Sequence, residues 1–221
     1  MIIEIPEKFY KQITRDKYVK VENGILEIHG FWNFKRLMVD IAYEIKGKEK
    51  CYYCKKRIYD SQVTIDHLFP EADGGISVPN NLVPTCKRCN NEKADMNEQE
   101  YNEWRSIRDS LRRKEYYVKI TQSKVARKFS SDIKRTFDVP EERITYTSLS
   151  NIYSLEKKKI KTGKTYKKIY NFIKKYGKVP RILVVSKNNV LLDGKIVYDV
   201  CEDLELESIP VIILENVVAY E

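Results

Sequence analysis

The sequence has 221 residues, 42% of them hydrophobic and 33% charged, which is the composition of a globular protein able to bury a core. It contains no apolar run of about 18 residues, and Glu4 and Glu7 stand where a signal peptide is apolar, so we expect a cytoplasmic protein without a transmembrane helix. The net charge of +9 is concentrated in residues 105–181, which hold 23 Lys and Arg against 7 Asp and Glu and predict a polyanionic partner.

The amino-terminal region is predicted to form two short strands and one helix. Tyr18–Val21 and Ile25–Ile28 are strand-like, and apolar residues recur at helical spacing from Phe31 to Ile45, with Gly47 ending the helix. His29 is one of only two histidines and lies outside every motif. We interpret it as a structural or surface residue.

Four of the five cysteines form two Cys-x-x-Cys pairs, Cys51/Cys54 and Cys86/Cys89, with 31 residues between them. In a cytoplasmic protein this pattern indicates metal binding and not disulfides. Two such pairs complete a closed tetrahedral site of four thiolates, which is typical of structural zinc. The alternatives are two unrelated reduced pairs or a redox pair, although neither pair lies in a thioredoxin-like context.

The segment between the cysteine pairs predicts a strand, a loop, a second strand and a helix. Val63 and Ile65 alternate as in a strand, and Gly74-Gly75 permits unusual backbone angles in the loop. The Asp66-His67 pair suits phosphodiester hydrolysis, because a neutral histidine can take a proton from water near pH 7. A carboxylate with an amide oxygen suits Mg²⁺ or Mn²⁺, which would stabilise the leaving oxygen.

This run of motifs resembles the zinc-ribbon subgroup of HNH endonucleases. The matching elements lie within residues 51–93: Cys-x-x-Cys, Asp-His, Gly-Gly, Asn-Leu and Cys-x-x-Cys-Asn-x-x-Lys. The resemblance implies that His67 is the general base and that Asp66 and Asn90 bind the catalytic divalent ion. It also implies that Asn81 orients the His67 ring.

Two features of this resemblance leave alternatives open. The last histidine of the family pattern is Asn90 here, which still supplies a carbonyl oxygen. Asn80 and Asn91 take the places of Asn81 and Asn90 if the register differs by one residue. His67 could also be an ordinary hydrogen-bonded histidine of a turn.

Basic helices are predicted on both sides of residue 140. They are Glu98–Glu115, Gln122–Phe137 and Tyr166–Tyr176. Their cations are the predicted contacts to DNA phosphates, the alternative being a solvated lysine-rich surface. The predicted DNA-binding residues are Arg105, Arg108, Arg112, Arg113, Lys164, Lys167, Lys168, Lys174 and Lys175.

Residues 142–216 resemble ParB-like and sulfiredoxin-like domains in their order of elements. The predicted elements are strand 144–146, helix 166–176 ended by Gly177, paired strands 182–185 and 190–192, helix 196–204 and strand 210–214. In those families Asp-Gly opens a phosphate-binding helix and is followed by His-Arg. Ile196 and Val197 occupy the His-Arg positions after Asp193-Gly194, so we expect a binding or docking module, with Cys201 in its core. The alternative is a small α/β domain in which Asp193-Gly194 only caps the helix.

The fold class predicted from sequence is α+β. It combines a ββα-metal HNH domain within residues 1–119, a basic helical linker at 120–141 and a ParB-like α/β domain at 142–221. The predicted function is cleavage of double-stranded DNA with structural Zn²⁺ and catalytic Mg²⁺ or Mn²⁺, and the oligomeric state is left open. The alternatives are a non-cleaving DNA-binding adaptor, or an RNA substrate whose bases stack on Tyr116, Tyr117, Tyr166 and Tyr170.

Overall fold

A computed structural model describes residues 2–3, 5–10, 19–29, 34–71, 75–129, 144–157, 159 and 163–220. In chain order, its strands and helices are β1 (Val19–Glu22), β2 (Ile25–His29), α1 (Phe34–Lys46), β3 (Val63–His67), β4 (Leu82–Cys86), α2 (Lys87–Lys93), α3 (Glu98–Ser106), α4 (Ser110–Phe129), β5 (Thr145–Ser148), α5 (Lys164–Tyr176), β6 (Leu183–Ser186), β7 (Leu191–Asp193), α6 (Lys195–Asp203), β8 (Ser208–Leu214) and β9 (Val217–Tyr220). The chain divides into two compact units, which we call the terminal unit (Met1–Ile41 and Val139–Glu221) and the central unit (Ala42–Asp138).

The terminal unit joins the two ends of the chain in one sheet. β1 pairs antiparallel with β2, and β2 pairs parallel with β9. The Asn216 side chain adds to this link, because it accepts from the Ile3 N–H at 2.8 Å and donates to the Ile3 carbonyl at 2.7 Å. The sequence-based division placed residues 1–41 with the HNH segment, whereas the structure groups them with the carboxy-terminal residues through this strand pairing.

The second sheet of the terminal unit has the strand order β5-β8-β6-β7. Between residues 144 and 214, every strand and helix predicted from sequence is present, within one or two residues of its expected limits. Gly177 ends α5 in the left-handed conformation, with φ of 63°. Cys201 is fully buried in the core of this unit, as predicted. The ParB-like resemblance itself stays a prediction.

The central unit contains the predicted strand, loop, strand and helix. β3 and β4 form an antiparallel hairpin, and α2 begins at the residue after β4. A small core lies beneath them and includes Tyr53, Val83, Met96 and Tyr101. The hairpin therefore rests on apolar side chains from the cysteine segments and from α3.

The loop between β3 and β4 is held from two sides. The Lys46 ammonium donates to the backbone carbonyls of Pro79 at 2.7 Å and Leu82 at 2.6 Å. Gly75 lies so close to the backbone of Phe69 that a Cβ atom there would stand 2.0 Å from the Phe69 carbonyl oxygen. Only glycine fits this close approach. The neighbouring Gly74 lies outside the described residues.

The single helix predicted over Glu98–Glu115 is two helices, so that prediction was wrong. Ile107 has an extended backbone, and Asp109 accepts a hydrogen bond from the Arg112 N–H at 2.8 Å, which caps the start of α4. α4 then runs on to Phe129, into the predicted linker. Residues 130–137 of the predicted helix Gln122–Phe137 lie outside the described residues, as do 31–33 of the first predicted helix.

Among the described residues, no helix combines the length and the apolar character needed to cross a bilayer.

Candidate active site and metal centre

The four paired cysteines converge on one point, as the spacing predicts. The Sγ atoms of Cys51, Cys54, Cys86 and Cys89 all lie within 4.8 Å of one another, and those of Cys54 and Cys86 are 4.0 Å apart. Tetrahedral zinc with bonds of about 2.3 Å holds its sulfurs roughly 3.8 Å apart. The cluster can therefore accept such an ion with small adjustments.

Each pair of cysteines sits on a turn that brings its two thiols together. In the first, the Cys51 N–H donates to Lys56 and the Lys55 N–H donates to Cys51, both at 2.9 Å, with Lys55 at a φ of 59°. In the second, Cys86 ends β4 and Cys89 lies in the first turn of α2. We call the tight turn that carries Cys51 and Cys54 the first knuckle. The junction of β4 and α2, which carries Cys86 and Cys89, is the second knuckle.

The thiols differ in how readily they ionise. Burial opposes ionisation of Cys51, but hydrogen bonds from the backbone N–H groups of Cys54 and Cys86 outweigh it and lower the pKa to about 7. Burial raises the pKa of Cys89 to about 12 and also raises that of Cys54. Binding a cation at this cluster would release protons from the thiols that are still protonated.

Asp66 is buried between α2 and the first knuckle. Its carboxylate lies 3.1 Å from the ammonium of Lys93, and its Oδ2 accepts a hydrogen bond from the Tyr53 hydroxyl at 2.7 Å. Burial is the main cause that raises the pKa of Tyr53, with the negative charge of Asp66 second, so the phenol stays protonated and donates. The side chain of Asp66 is therefore held by two donors, the Tyr53 hydroxyl and the Lys93 ammonium.

Lys93 ends the Cys-x-x-Cys-Asn-x-x-Lys motif, but the sequence gives it no role. It is fully buried, contacts both Asp66 oxygens, and donates to the backbone carbonyl of His67 at 2.7 Å. The available signal is its position four residues after Cys89, which places both on the buried face of α2. A lysine at a core position of a short helix predicts a buried acidic partner.

His67 is the last residue of β3, and its ring contacts residues of the loop that follows. Its Nε2 lies 3.0 Å from the Ser77 hydroxyl and 3.7 Å from the Glu71 carboxylate. Ser77 is buried and also donates to Glu71 at 3.4 Å. Neither Ser77 nor Glu71 was singled out from sequence, because the loop that carries them has no periodic pattern.

The structure places Asn81 at the end of the loop, where its side chain makes hydrogen bonds to backbone groups. Its Oδ1 accepts from the Phe69 N–H at 2.8 Å, and its Nδ2 donates to the carbonyls of Phe69 and Ile76 at 3.0 and 2.9 Å. These bonds hold Asn81 against the backbone of the loop that carries Ser77. Its role in orienting the His67 ring stays a prediction.

Asn90 lies beside β3. Its Nδ2 donates to the Thr64 hydroxyl and to the Ile65 carbonyl, each at 3.1 Å. Its Oδ1 accepts no hydrogen bond from the residues that the structure describes. The neighbouring Asn80 and Asn91, which the sequence left as alternatives, are both exposed.

The basic residues predicted to contact DNA divide into packed and exposed groups. The Arg113 guanidinium lies over the Trp104 ring at 5.1 Å and donates to the carbonyls of Ile107 and Arg105, which fixes the end of α3. Arg105 lies 5.5 Å over a tyrosine ring. The exposed residues are Arg108, Arg112, Lys164, Lys167, Lys168, Lys174 and Lys175.

Three of the four tyrosines considered for base stacking have partners within the protein. Tyr166 and Tyr170 stack on each other and pack against the core of the terminal unit, and the Tyr116 hydroxyl donates to Glu103. Tyr117 is exposed. This arrangement gives little support to an RNA substrate.

The fold and the site together define a ββα unit, in which a β-hairpin is followed by a short helix. A cluster of four cysteines lies beside it, and an Asp-His pair ends its first strand. Comparison with known families agrees with this class, because a family model described as HNH endonuclease matches residues 51–103. No curated protein matches the chain. The matched segment includes the cysteine cluster, both strands of the hairpin, α2 and most of α3.

Proposed function

We propose that the central unit hydrolyses phosphodiester bonds of double-stranded DNA with the help of a divalent metal ion. The observation that carries the proposal is the pairing of Asp66 and His67 at the end of β3, with Asn90 of α2 beside the same strand. This arrangement lies inside the segment that matches HNH endonucleases. In this proposal the His67 imidazole is the general base that removes a proton from the attacking water.

The donor atoms suit Mg²⁺ or Mn²⁺ as the catalytic ion. Asp66 offers a carboxylate, and the Oδ1 of Asn90 is an amide oxygen without a hydrogen bond among the described residues. When bound, such an ion supplies charge stabilisation at the phosphate and the leaving oxygen. The ammonium of Lys93 balances the Asp66 charge, which moderates the attraction of the site for cations.

We assign structural zinc to the four cysteines, because a closed set of four thiolates leaves no coordination position for chemistry. Arg108, which lies just before α4, and the exposed cations on α4 and α5 are the proposed contacts to the DNA backbone. Arg113 and Arg105 have a different part in this proposal, since their guanidinium groups pack on aromatic rings at the end of α3.

The second candidate is a DNA-binding adaptor that does not cleave. The observation in its favour is the burial of Asp66 against Lys93, because a salt bridge of this kind can hold the hairpin together without any chemistry. The two candidates differ in a single outcome, which is whether DNA is cut.

The deciding experiment incubates supercoiled plasmid with the full-length protein in Mg²⁺ or Mn²⁺. Nicking should stop in EDTA and return when the divalent ion and Zn²⁺ are both restored. His67→Ala should reduce the rate by about 10²–10⁴-fold, as expected for loss of a positioned base, while DNA binding in a gel-shift assay persists. The matched control is His29→Ala, which removes the only other histidine of the chain.

Full activity in His67→Ala would contradict the role of this residue. DNA binding without nicking in the unmodified protein, under every metal condition, would favour the adaptor. Asp66→Ala is a poor substitute for this test, because it leaves the buried Lys93 without its carboxylate and destabilises the fold.

A further inference from the structure

We propose that Tyr53 is a positioning residue that fixes the Asp66 carboxylate for the divalent ion, so that one hydrogen bond joins the first cysteine knuckle to the metal-binding strand. This inference rests on the proposed function, since it assumes that Asp66 binds the ion. It assigns to Tyr53 a role beyond the packing of the knuckle.

The two oxygens of Asp66 are not equivalent. Oδ2 accepts from the Tyr53 hydroxyl at 2.7 Å and lies 3.1 Å from the Lys93 ammonium, whereas Oδ1, among the residues that the structure describes, contacts Lys93 alone, at 3.3 Å. Tyr53 therefore determines which of the two oxygens has a second partner. The carboxylate cannot rotate without giving up this hydrogen bond, so Oδ1 is the oxygen left for a metal ion.

Tyr53 is well held for this role. It stands between two of the cysteines and is 8% exposed, and its ring packs edge-on against Tyr52 and Tyr101 at centroid distances of 5.2 and 4.9 Å. A hydroxyl on a ring fixed from two sides has little freedom to move. Hydrogen bonds that orient a metal-binding carboxylate typically affect metal affinity by about 10–100-fold.

The chain contains a matched control in the adjacent residue. Tyr52 belongs to the same knuckle, and its hydroxyl also donates to a carboxylate, that of Glu98, at 2.6 Å. Removing the Tyr52 hydroxyl thus takes away a comparable hydrogen bond from the same turn without touching Asp66. Any effect that follows from general loosening of the knuckle should appear in both variants.

The test measures Mn²⁺ binding to the full-length, zinc-loaded protein by electron paramagnetic resonance of the free ion, together with zinc content. Tyr53→Phe should weaken Mn²⁺ binding about tenfold and keep its zinc, whereas Tyr52→Phe should bind Mn²⁺ as the parent does. In plasmid nicking, Tyr53→Phe should need correspondingly more Mn²⁺ for half-maximal rate, with the rate at saturating Mn²⁺ close to that of the parent.

Unchanged or tighter Mn²⁺ binding in Tyr53→Phe would overturn the inference, as would an equal loss in both variants. Loss of zinc from Tyr53→Phe alone would also overturn it, because the hydroxyl would then serve the cysteine cluster. The double variant Asp66→Asn, Lys93→Met, which leaves no unpaired buried charge, separates this failure from failure of the proposed metal site. If this double variant binds Mn²⁺ as well as the parent, or if the parent binds none, the proposed metal site itself is wrong and the inference falls with it.

Discussion

Replacement of Lys93 by methionine is expected to destabilise the central unit strongly. Methionine keeps most of the length and apolar volume of lysine but removes the charge. Lys93 is fully buried and Asp66 is 6% exposed, so the substitution leaves a carboxylate in the interior, with the Tyr53 hydroxyl as its remaining side-chain donor among the described residues. Breaking a buried ion pair by removing one partner costs about 3–5 kcal/mol.

A second loss adds to this cost. Lys93 also donates to the His67 carbonyl at 2.7 Å, and a hydrogen bond from a charged group contributes about 1.5–3 kcal/mol. Because the two contributions share one ammonium group they are not additive, and we expect a loss of about 4 kcal/mol in the free energy of unfolding. For a unit of this size, that loss corresponds to a decrease in Tm of more than about 15 °C.

The assay is urea unfolding of the zinc-loaded protein in a Trp32→Phe background, which leaves Trp104 as the one tryptophan of the sequence. Trp104 packs against the core of the central unit, so its fluorescence follows the unfolding of that unit. The control is Lys87→Met, which removes an exposed lysine from the same helix and should change stability by less than about 0.5 kcal/mol. The double variant Asp66→Asn, Lys93→Met should be more stable than Lys93→Met, because it leaves no unpaired charge. A loss of less than about 1 kcal/mol for Lys93→Met would refute the buried pair.

Three further changes test other parts of the structure. Elemental analysis should find one zinc per chain, and Cys86→Ser should lose both the zinc and the stability of the central unit. Cys201→Ser should keep its zinc. Folded protein without zinc would contradict the assignment. Gly75→Ala should abolish nicking but keep zinc, since its Cβ would stand 2.0 Å from a carbonyl oxygen. Normal nicking would show that the loop can accommodate a side chain at this position. Neutralising Lys167 and Lys168 should reduce the slope of log DNA affinity against log salt concentration by about one unit per lost contact. An unchanged slope would mean that these lysines do not contact DNA phosphates.

The parts of the site that the sequence predicts are those that depend on local chemistry. Two cysteines three positions apart can share a metal in almost any fold, so the spacing of Cys51/Cys54 and Cys86/Cys89 is informative by itself. Alternation along β3 and helical spacing along α5 likewise need no knowledge of distant residues. These predictions therefore agree with the structure over most of the described elements.

The parts that the sequence does not predict depend on contacts between distant residues. The Tyr53–Asp66 hydrogen bond and the Lys93–Asp66 ion pair join positions 13 and 27 residues apart, and no periodic pattern specifies either. The pairing of β2 with β9 connects opposite ends of the chain. The break between α3 and α4 at Asp109 is different, because it has a local signal in the sequence. An aspartate before a basic helix can cap that helix. The prediction gave more weight to the apolar spacing over Glu98–Glu115 and therefore missed the break.

Asp66 and His67, the last two residues of β3, depend on different parts of the central unit. They are neighbours in sequence, but their side chains contact different partners, so different structures support them. The loop held by Asn81 presents Ser77 to the His67 ring, while the first knuckle presents Tyr53 to the Asp66 carboxylate. Changes in the loop should therefore alter the rate at saturating metal, and changes at the knuckle should alter the metal requirement. A single strand thus divides proton transfer and metal binding between two supports that can be perturbed separately.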